Sequence, residues 1–240
     1  MKHLIRLAAT AVAACCAVAV GLALTAGPAA ADPSAPAAAG GLDAAKKVVT
    51  ARIDGRLAAL RAFDVAIGAA KRLSSGHRST LTGLVASDRS GLAALRTKVA
   101  GETTAAAVKA DDQSMVNDYR IYLLVEPKVR LTIAADLETA AVAELRETAD
   151  KLAAAIAAAK QNGKDTTKAE ADLADMRSQT DAADHAIAGK ADALLAVAPG
   201  PDADAIKSQV TPVRQAVRDA RTDLHRALAD AKAVKADLGK

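Results

Sequence analysis

The sequence has almost no aromatic residues and very little cysteine. Its 240 residues include no tryptophan, two tyrosines and one phenylalanine, and its two cysteines are the neighbours Cys15 and Cys16. Aromatic side chains stack on the bases in most single-strand nucleic-acid binders, so their scarcity argues against that class. Two adjacent cysteines cannot build a disulfide framework. We therefore predict a fold that is stabilised by aliphatic packing, without nucleic-acid binding.

Recognised catalytic and nucleotide-binding motifs are also absent. The sequence contains no GxGxxG or GxxxxGK loop, no HExxH pair, no GxSxG turn and no CxxC pair. These patterns place phosphate-binding amides, metal ligands or nucleophiles at fixed positions. The sequence therefore predicts no catalytic residue, no cofactor and no metal site, and it favours a protein that is not an enzyme.

The first thirty-one residues have the features of a secretory signal peptide. A basic start that includes Lys2 and Arg6 precedes an apolar run over 7–26, and Ala29–Ala31 offers a small-residue cleavage site before Asp32. We predict a secreted or extracellular protein, with association with the cell wall as a second option. The polar C-terminus has no LPxTG-type signal, so retention at the wall would be non-covalent.

Two alternatives for this leader stay open. The apolar run is long enough to cross a bilayer, so the leader can also be interpreted as an uncleaved anchor. The segment from Val12 to Cys15 is similar to a bacterial lipobox, in which the cysteine carries a lipid. In the favoured interpretation both cysteines leave with the leader, and no integral membrane segment remains after cleavage.

Charge is balanced along the remaining chain. The leader carries two of the 32 basic residues and none of the 28 acidic ones, so its removal lowers the net charge from +4 to +2. The basic and acidic residues are interspersed, which is typical of solvated helix faces. This distribution predicts no basic surface for nucleic acid.

Alanine dominates the composition and predicts an all-α protein. Alanine has the highest helix propensity, and a chain rich in Ala, Leu, Lys, Arg, Asp and Glu is typical of long helices and coiled coils. We predict an elongated antiparallel helical bundle, or coiled-coil hairpins. The predicted domains are a signal peptide over 1–31, a flexible linker over 32–41 and a helical domain over 42–240, with sub-segments 42–125 and 128–240.

Apolar residues at spacings of three and four predict the helices and their buried stripes. In the first half, Asp88 interrupts one of these stripes, where a charge needs a partner or partial exposure. The predicted stripes include Val49, Ile53, Leu57, Leu60, Phe63 and Ile67; Leu81, Val85, Leu92, Leu95 and Val99; Leu131, Ala135, Glu138, Val142, Leu145, Ala149, Leu152 and Ile156; Ala169, Leu173, Met176, Thr180, Ala183, Ile187, Leu194 and Val197; and Ile206, Val210, Val213, Val217, Ala220, Leu224, Ala227, Ala231, Val234 and Leu238.

Two segments leave alternatives or predict irregularities. Residues 121–133 alternate in a way that permits a short hairpin around Pro127, but we favour helix, turn, helix, with Pro127 in the first turn of the second helix. Pro212 lies inside the last stripe and predicts a kink near Gln209 or a new helix start at Thr211. Asp43 is a candidate N-cap for the first helix, and 102–104 can cap the third.

A few polar residues are candidates for chemistry. His185 follows Asp181 by one turn, and His225 lies among charged residues, but a zinc site would need further ligands from another helix. The pairs Asp111–Asp112 and Asp202–Asp204 are candidate acid–base groups. For all of these residues we favour solvated faces and helix caps. Arg214, Arg218 and Arg221 could meet an anionic polymer or lipid, although neighbouring aspartates favour a salt-bridged face.

The cluster at Tyr119, Arg120 and Tyr122 is the candidate interaction surface. Tyrosine and arginine often anchor protein interfaces. The alternative is that these residues belong to the thickest part of the core. The expected partner is a protein or a cell-wall component, and open seams on long helices are compatible with a homo-oligomer.

The chain resembles the alanine-rich exported proteins of high-GC Gram-positive bacteria, the actinobacteria. The likeness rests on Asn117–Pro127, on Ile133–Asp136 and on Ala193–Pro201. The resemblance implies export and a helical fold, and it supplies neither an activity nor a functional residue. We therefore predict a non-enzymatic structural or interaction module of the cell envelope or extracellular space. The alternative is a carrier of lipid or another apolar ligand, which would require an apolar cavity near 119–125.

Overall fold

The computed structural model describes residues 41–239. The predicted signal peptide, the predicted linker up to residue 40, and Lys240 lie outside the described residues. Within 41–239 the chain is helical and contains no strand, which confirms the all-α prediction. The helices are α1 (Leu42–Ala69), α2 (Ser75–Gly101), α3 (Ala105–Tyr119), α4 (Glu126–Gln161), α5 (Thr167–Ile187), α6 (Lys190–Leu195) and α7 (Ala203–Leu238).

Two compact units make up the described chain, and each is built from separate stretches of sequence. The first unit comprises Ala37–Thr139 and Ala186–Asp219, of which residues from 41 onward are described. The described part of the second unit comprises Ala140–His185 and 220–239. Both long helices, α4 and α7, contribute residues to both units.

Aliphatic side chains fill the core of each unit, as the composition requires. The largest fully buried residues of the first unit include Ile53, Leu60, Leu81, Leu92 and Met115. In the second unit, Leu152, Ile156 and Met176 pack with Ala231 and Val234. The predicted stripes are largely buried, with Leu57, Leu95, Leu131, Leu224 and Leu238 only partly covered. The spacing of three and four therefore identified the buried helix faces correctly.

The helix ends differ in part from the predictions. α1 begins after Gly41, which has no side chain that could cap the helix, and Asp43 lies inside the first turn. The prediction of Asp43 as the cap is therefore wrong. The hydroxyl of Ser74 accepts from the backbone N–H of His77 at 3.2 Å and caps α2. Thr104 caps α3 in the same way through the N–H of Ala107, as predicted.

The segment after α3 is helical, so the hairpin alternative is wrong. Arg120 adopts the left-handed conformation, with φ 44° and ψ 42°, and ends α3. A π-helical turn over Ile121–Val125 then leads directly into α4, with Pro127 in its first turn as predicted. The left-handed residue Arg120 therefore separates α3 from the helical segment that contains Pro127. A residue without β-branching tolerates this conformation better than the valines and isoleucines nearby.

Helix continuity differs from the predictions at two places in the second half of the chain. The stripe predicted to continue from Ala169 to Val197 is interrupted after Ile187, where Gly189 is left-handed with φ 67° and α6 begins. By contrast, α7 continues through Pro212 without a new start. Pro212 and Ser208 are both exposed, so water can hydrate the carbonyl that proline leaves without a donor. Val210 and Val213 stay buried on either side and hold the helix together.

Among residues 41–239, no helix is long and apolar enough to cross a bilayer.

Candidate functional site

Tyr119 lies against the backbone of α2. A Cβ built on Gly91 would lie 2.8 Å from Cε1 of Tyr119 and 3.0 Å from its Cζ. Glycine at position 91 therefore allows the ring to approach the helix closely. Burial raises the pKa of Tyr119, and the nearby charges of Asp88 and Asp118 raise it further. The half-buried Tyr119 ring is therefore largely committed to packing inside the first unit.

Arg120 is also committed to contacts within the chain. Its Nε donates to the carbonyl of Gly200 at 2.7 Å, and its Nη2 donates to Asn117 Oδ1 and to the carbonyl of Pro201. The guanidinium therefore ties the end of α3 to the connection between α6 and α7. These bonds account for the left-handed backbone of Arg120, because they stabilise a conformation that costs a non-glycine residue about 1 kcal/mol or more.

Tyr122 is the member of the predicted cluster that faces solvent. Its side chain is 49% exposed. The guanidinium carbon of Arg56 lies 5.5 Å from the centre of its ring, within range of a cation–π interaction. Its hydroxyl lies 3.8 Å from the position that a Cβ on Gly55 would take. Tyr122 therefore lies over the solvent side of α1, apart from the packing of Tyr119.

A polar face on α4 was missed by the sequence analysis. Lys128, Thr132 and Asp136 follow one another at intervals of one turn, and Lys128 and Thr132 are buried. The Nζ of Lys128 donates to the carbonyls of Leu195 and Val197 at 2.8 and 2.5 Å. These carbonyls lie at the end of α6 and just beyond it, where a helix has no donors of its own. The period of four was the signal that could have revealed this face.

Asp88 is the charged neighbour of Lys128. Burial raises the pKa of Asp88 to about 6, although the ammonium of Lys128 works in the opposite direction. Burial likewise lowers the pKa of Lys128, and Asp88 opposes that shift. One carboxyl oxygen of Asp88, Oδ2, is buried without a hydrogen-bond partner. The charged form of Asp88 is therefore poorly solvated. In its apolar stripe, Asp88 is partly exposed and lacks a hydrogen-bond partner for this oxygen.

We expect Asp88→Asn to stabilise the protein at neutral pH. The folded state holds the Asp88 proton more tightly than the unfolded chain does. The stabilising contribution of Asp88 to the free energy of unfolding is therefore complete below the pKa that Asp88 has in the unfolded chain. This contribution is lost as the pH rises through about 6, its pKa in the folded protein. After allowance for partial exposure, Asp88→Asn should raise the free energy of unfolding at pH 7 by roughly 1 kcal/mol. Urea denaturation at several pH values measures this difference.

The control for this variant is Asp118→Asn, which removes an exposed carboxyl from α3. It should leave the free energy of unfolding nearly unchanged at acidic and neutral pH. The opposite result would be a wild-type protein with a higher free energy of unfolding than Asp88→Asn at pH 7. It would show that the attraction between Lys128 and Asp88 is larger than the cost of burying the Asp88 charge.

His77 joins α2 to α4 and α6. Its Nδ1 lies 2.8 Å from Asp136 Oδ1, and its Nε2 lies 3.1 Å from Asp192 Oδ1. Asp136 also accepts from the backbone N–H of Ser74 at 2.7 Å. Since both ring nitrogens face carboxylates, the doubly protonated ring is favoured. Neither nitrogen is left to bind a metal or to take a proton from a substrate.

Two opposing effects act on the pKa of His77. Burial works to lower this pKa, but the hydrogen bonds to Asp192 and Asp136 outweigh burial, so the pKa is raised. A raised pKa means that the contribution of His77 to stability is complete below the unfolded pKa and is lost as the pH rises through the folded one. The His77 contacts therefore stabilise the first unit most strongly in mild acid.

The other acidic candidates make structural contacts. Asp111 is buried and pairs with Lys98 at 2.5 Å, while Asp112 pairs with Arg52 at 2.5 Å. Asp202 accepts from two backbone N–H groups in the first turn of α7 and caps that helix. Asp202 is therefore a helix cap, as expected, whereas the expectation of a solvated face is wrong for Asp111, which is buried in an ion pair.

The histidine candidates are not brought together with metal ligands. His185 and His225 are exposed, and Asp181, one turn before His185, pairs with Arg146. Within residues 41–239, no group of three or more histidine, cysteine, aspartate and glutamate side chains is arranged to hold a metal ion. Arg214, Arg218 and Arg221 are exposed on α7, and Arg218 donates to Gln215.

Two surface depressions lie in the second unit, with volumes of about 330 and 290 Å³. The first is lined by Lys164, Asp165, Lys168, Ala169 and Asp237, and the second by Arg146, Ala149, Asp150, Arg177, Thr180 and Asp181. Their cations are engaged, since Lys168 pairs with Asp172 and Asp237, and Arg146 pairs with Asp181 and Asp184. None of the three residues of the predicted interaction surface lines either depression.

The solvent side of α1 carries a second apolar stripe, opposite its buried one. We call it the outer seam, and it consists of Ala44, Val48, Ala51, Gly55, Ala58, Ala62, Val65 and Ala69. All of these residues are exposed except Ala62, which is partly buried. Val48 is 53% exposed and Val65 is 71% exposed. Four large apolar side chains are exposed within residues 41–239. Two of them, Val48 and Val65, belong to the outer seam, and a third, Tyr122, lies beside Gly55 of this seam.

Comparison of the chain with known protein families, curated proteins and solved structures yields no match. The resemblance to exported actinobacterial proteins therefore stays a prediction from sequence. The polar clusters are engaged inside the fold, and the outer seam is exposed except at Ala62, with the Tyr122 hydroxyl beside Gly55.

Proposed function

We propose that this protein is an exported, non-enzymatic helical protein that acts as a structural or interaction module of the cell envelope or extracellular space. The observation that carries the proposal is the outer seam of α1. Soluble proteins seldom leave a continuous apolar surface exposed unless it binds something. Export is supported by the leader over 1–31, which has the features of a secretory signal peptide.

The polar clusters favour an interaction module over an enzyme. Catalysis needs ionisable groups that converge on a space where a substrate can bind. Here the ring nitrogens of His77 face Asp136 and Asp192, and the ammonium of Lys128 is bonded to two carbonyls. These groups stabilise helix ends and helix contacts. Their hydrogen-bonding capacity is used within the protein itself.

The carrier alternative has no specific observation in its favour. It requires an apolar cavity near 119–125, and Ile121, Leu124 and Val125 are instead buried among other core side chains. It stays an untested prediction. Native mass spectrometry of the purified protein tests this alternative, because a bound apolar ligand would add its mass to that of the protein.

The experiment is native mass spectrometry of the protein purified from the culture medium of a high-GC Gram-positive host. We expect a chain that begins at Asp32, without a bound small molecule. Recovery of the uncleaved chain from the cytosol would contradict export, and a stoichiometric lipid would favour the carrier. A cell-wall fraction treated with high salt tests whether retention is non-covalent.

A further inference from the structure

We infer that two copies of this protein pair through their α1 helices, antiparallel and fully overlapped, along the outer seam. This inference names the partner of the interaction module proposed above and rests on that proposal. The pairing would be isologous, with the same surface used by both copies. Four observations support it: the repeat of the seam, its exposed valines, the charges along its edge and the place of Tyr122.

The spacing of the outer seam is that of a coiled coil. From Ala44 to Ala69 the residues follow one another at alternating intervals of four and three, without an exception. This repeat of seven keeps an apolar seam facing a partner helix along its whole length. α1 has 28 residues and is therefore about 42 Å long. Alanine and glycine at six of the eight positions let two helix backbones come close, and the two valines add apolar area.

The antiparallel register with full overlap pairs the large residues with each other. In this register Val48 lies opposite Val65 of the second copy, and Gly55 lies opposite Ala58 of the second copy. The symmetry axis then passes between residues 56 and 57. Tyr122 lies beside Gly55, so each copy brings an exposed aromatic ring close to the middle of the contact. Aromatic residues near the centre of an interface often contribute most to binding.

The charges along one edge of the seam complement each other in the same register. This edge carries Lys47, Asp54 and Arg61, all exposed and seven residues apart. Antiparallel overlap places Asp54 opposite Arg61 of the second copy, twice by symmetry. Arg61 has no ion-pair partner among residues 41–239. Asp54 already accepts from Arg96 at 2.8 Å, and a carboxylate can accept from a second cation as well.

A parallel pair would be disfavoured by its charges. In a parallel coiled coil, a residue just before a seam position lies close to a residue of the partner helix. The number of that partner residue is higher by five. That geometry would bring Lys47 towards Arg52 of the second copy, a contact between like charges. Arg52 is already paired with Asp112, so this repulsion is partly compensated, but the charge pattern still favours the antiparallel arrangement.

Sedimentation and native mass spectrometry of the full exported protein test the pairing. We expect a concentration-dependent particle of twice the chain mass. Val48→Lys/Val65→Lys should raise the dissociation constant at least tenfold, because it buries two cations in each half of the seam. The control Ala154→Lys/Ala158→Lys adds the same charge at exposed positions of α4 and should leave the constant unchanged. Circular dichroism checks that all variants remain folded.

Disulfide trapping tests the register. In a full chain with Cys15→Ser and Cys16→Ser, the pair Val48→Cys/Val65→Cys should link two copies on mild oxidation. Val48→Cys alone should not, since its two copies would lie about 25 Å apart in the antiparallel register. A disulfide needs Cα atoms within about 7 Å. Efficient linking by Val48→Cys alone would overturn the antiparallel register.

The outcomes separate this inference from the proposed function. A wild-type protein that is exported but remains a monomer into the hundreds of micromolar would overturn the pairing alone. A pairing that survives Val48→Lys/Val65→Lys unchanged would overturn the outer seam as its site. A cytosolic, uncleaved protein that still dimerises through the seam would overturn the proposed export and leave the pairing intact.

Discussion

Replacing Lys128 by methionine is expected to lower the free energy of unfolding by about 3 kcal/mol. Lys128 is only 5% exposed, and its ammonium donates to the carbonyls of Leu195 and Val197. Methionine has a similar length and fills the space, but it cannot donate. Both carbonyls would lose a charge-assisted bond in a place with little access to water. Asp88 would also lose its neighbouring cation.

The matched control for this variant is Lys151→Met on the same helix. Lys151 is exposed, and its pairing with Glu147 at 3.9 Å is weak. This control should change the free energy of unfolding by no more than about 0.5 kcal/mol. Urea denaturation followed by circular dichroism measures both variants. A loss for Lys128→Met as small as that of the control would mean that water replaces the ammonium at these carbonyls.

The double variant Lys128→Met/Asp88→Asn isolates the pair. If Asp88 is destabilising mainly because it is buried and charged, its removal should recover part of the loss from Lys128→Met. Residues that interact should deviate from additivity by about 0.5 kcal/mol or more. If the effects of the two single changes on the free energy of unfolding are strictly additive, Lys128 stabilises the protein only through its hydrogen bonds to the carbonyls of Leu195 and Val197.

The second large effect concerns two glycines of α2, where the same substitution should act in opposite directions. Gly91→Ala places a methyl group 2.8 Å from Cε1 of Tyr119, so the ring or the helix must shift. We expect a loss of about 1 to 2 kcal/mol, because overpacking outweighs the gain in helix propensity. Gly83 is exposed with open space around it, so Gly83→Ala should instead stabilise by about 0.5 to 1 kcal/mol.

Thermal unfolding of the two alanine variants gives the comparison directly. The contact with Tyr119 can be tested by adding Tyr119→Leu, which removes the ring atoms that the new methyl would meet. In that background Gly91→Ala should no longer be destabilising. If Gly91→Ala and Gly83→Ala stabilise equally, Tyr119 does not rest on α2 in solution.

The sequence alone predicted most helices and their buried faces. The stripe on α7 is an example, because helix periodicity is a local property and its apolar members are valine, leucine, isoleucine and alanine in a polar background. The break at Gly189 was missed, since the apolar spacing continues from Ile187 to Leu194 across it. A break between two helices is hard to see in a sequence when the residues on both sides of the break are apolar and buried.

The candidate site was predictable only in part. Tyr119, Arg120 and Tyr122 were singled out from the sequence as a candidate interaction surface, but their neighbours in sequence do not reveal that Arg120 binds the carbonyls of Gly200 and Pro201. The partners of His77 lie 59 and 115 residues away in the chain. Such pairs depend on which helices are adjacent, and this information is not contained in a local pattern.

The outer seam shows the limit for an alanine-rich protein. Its spacing is as regular as that of the buried stripes, and it is visible in the sequence. Alanine, however, is nearly as acceptable in water as in a core, so its periodicity does not show which face is covered. Only the placement of α2 and α3 against the other side of α1 leaves Val48 and Val65 exposed.

Composition and spacing by themselves determined that this protein is helical, that residues 17–240 contain no cysteine for a disulfide and that leucine, valine and isoleucine line its cores. These properties follow from propensity and periodicity, which act over a few residues. The tertiary structure decided the hydrogen bonding of the Lys128 ammonium to two carbonyls, the pairing of His77 with two carboxylates and the exposure of one apolar face. Each of these depends on groups distant in sequence, whose approach is set by the packing of whole helices.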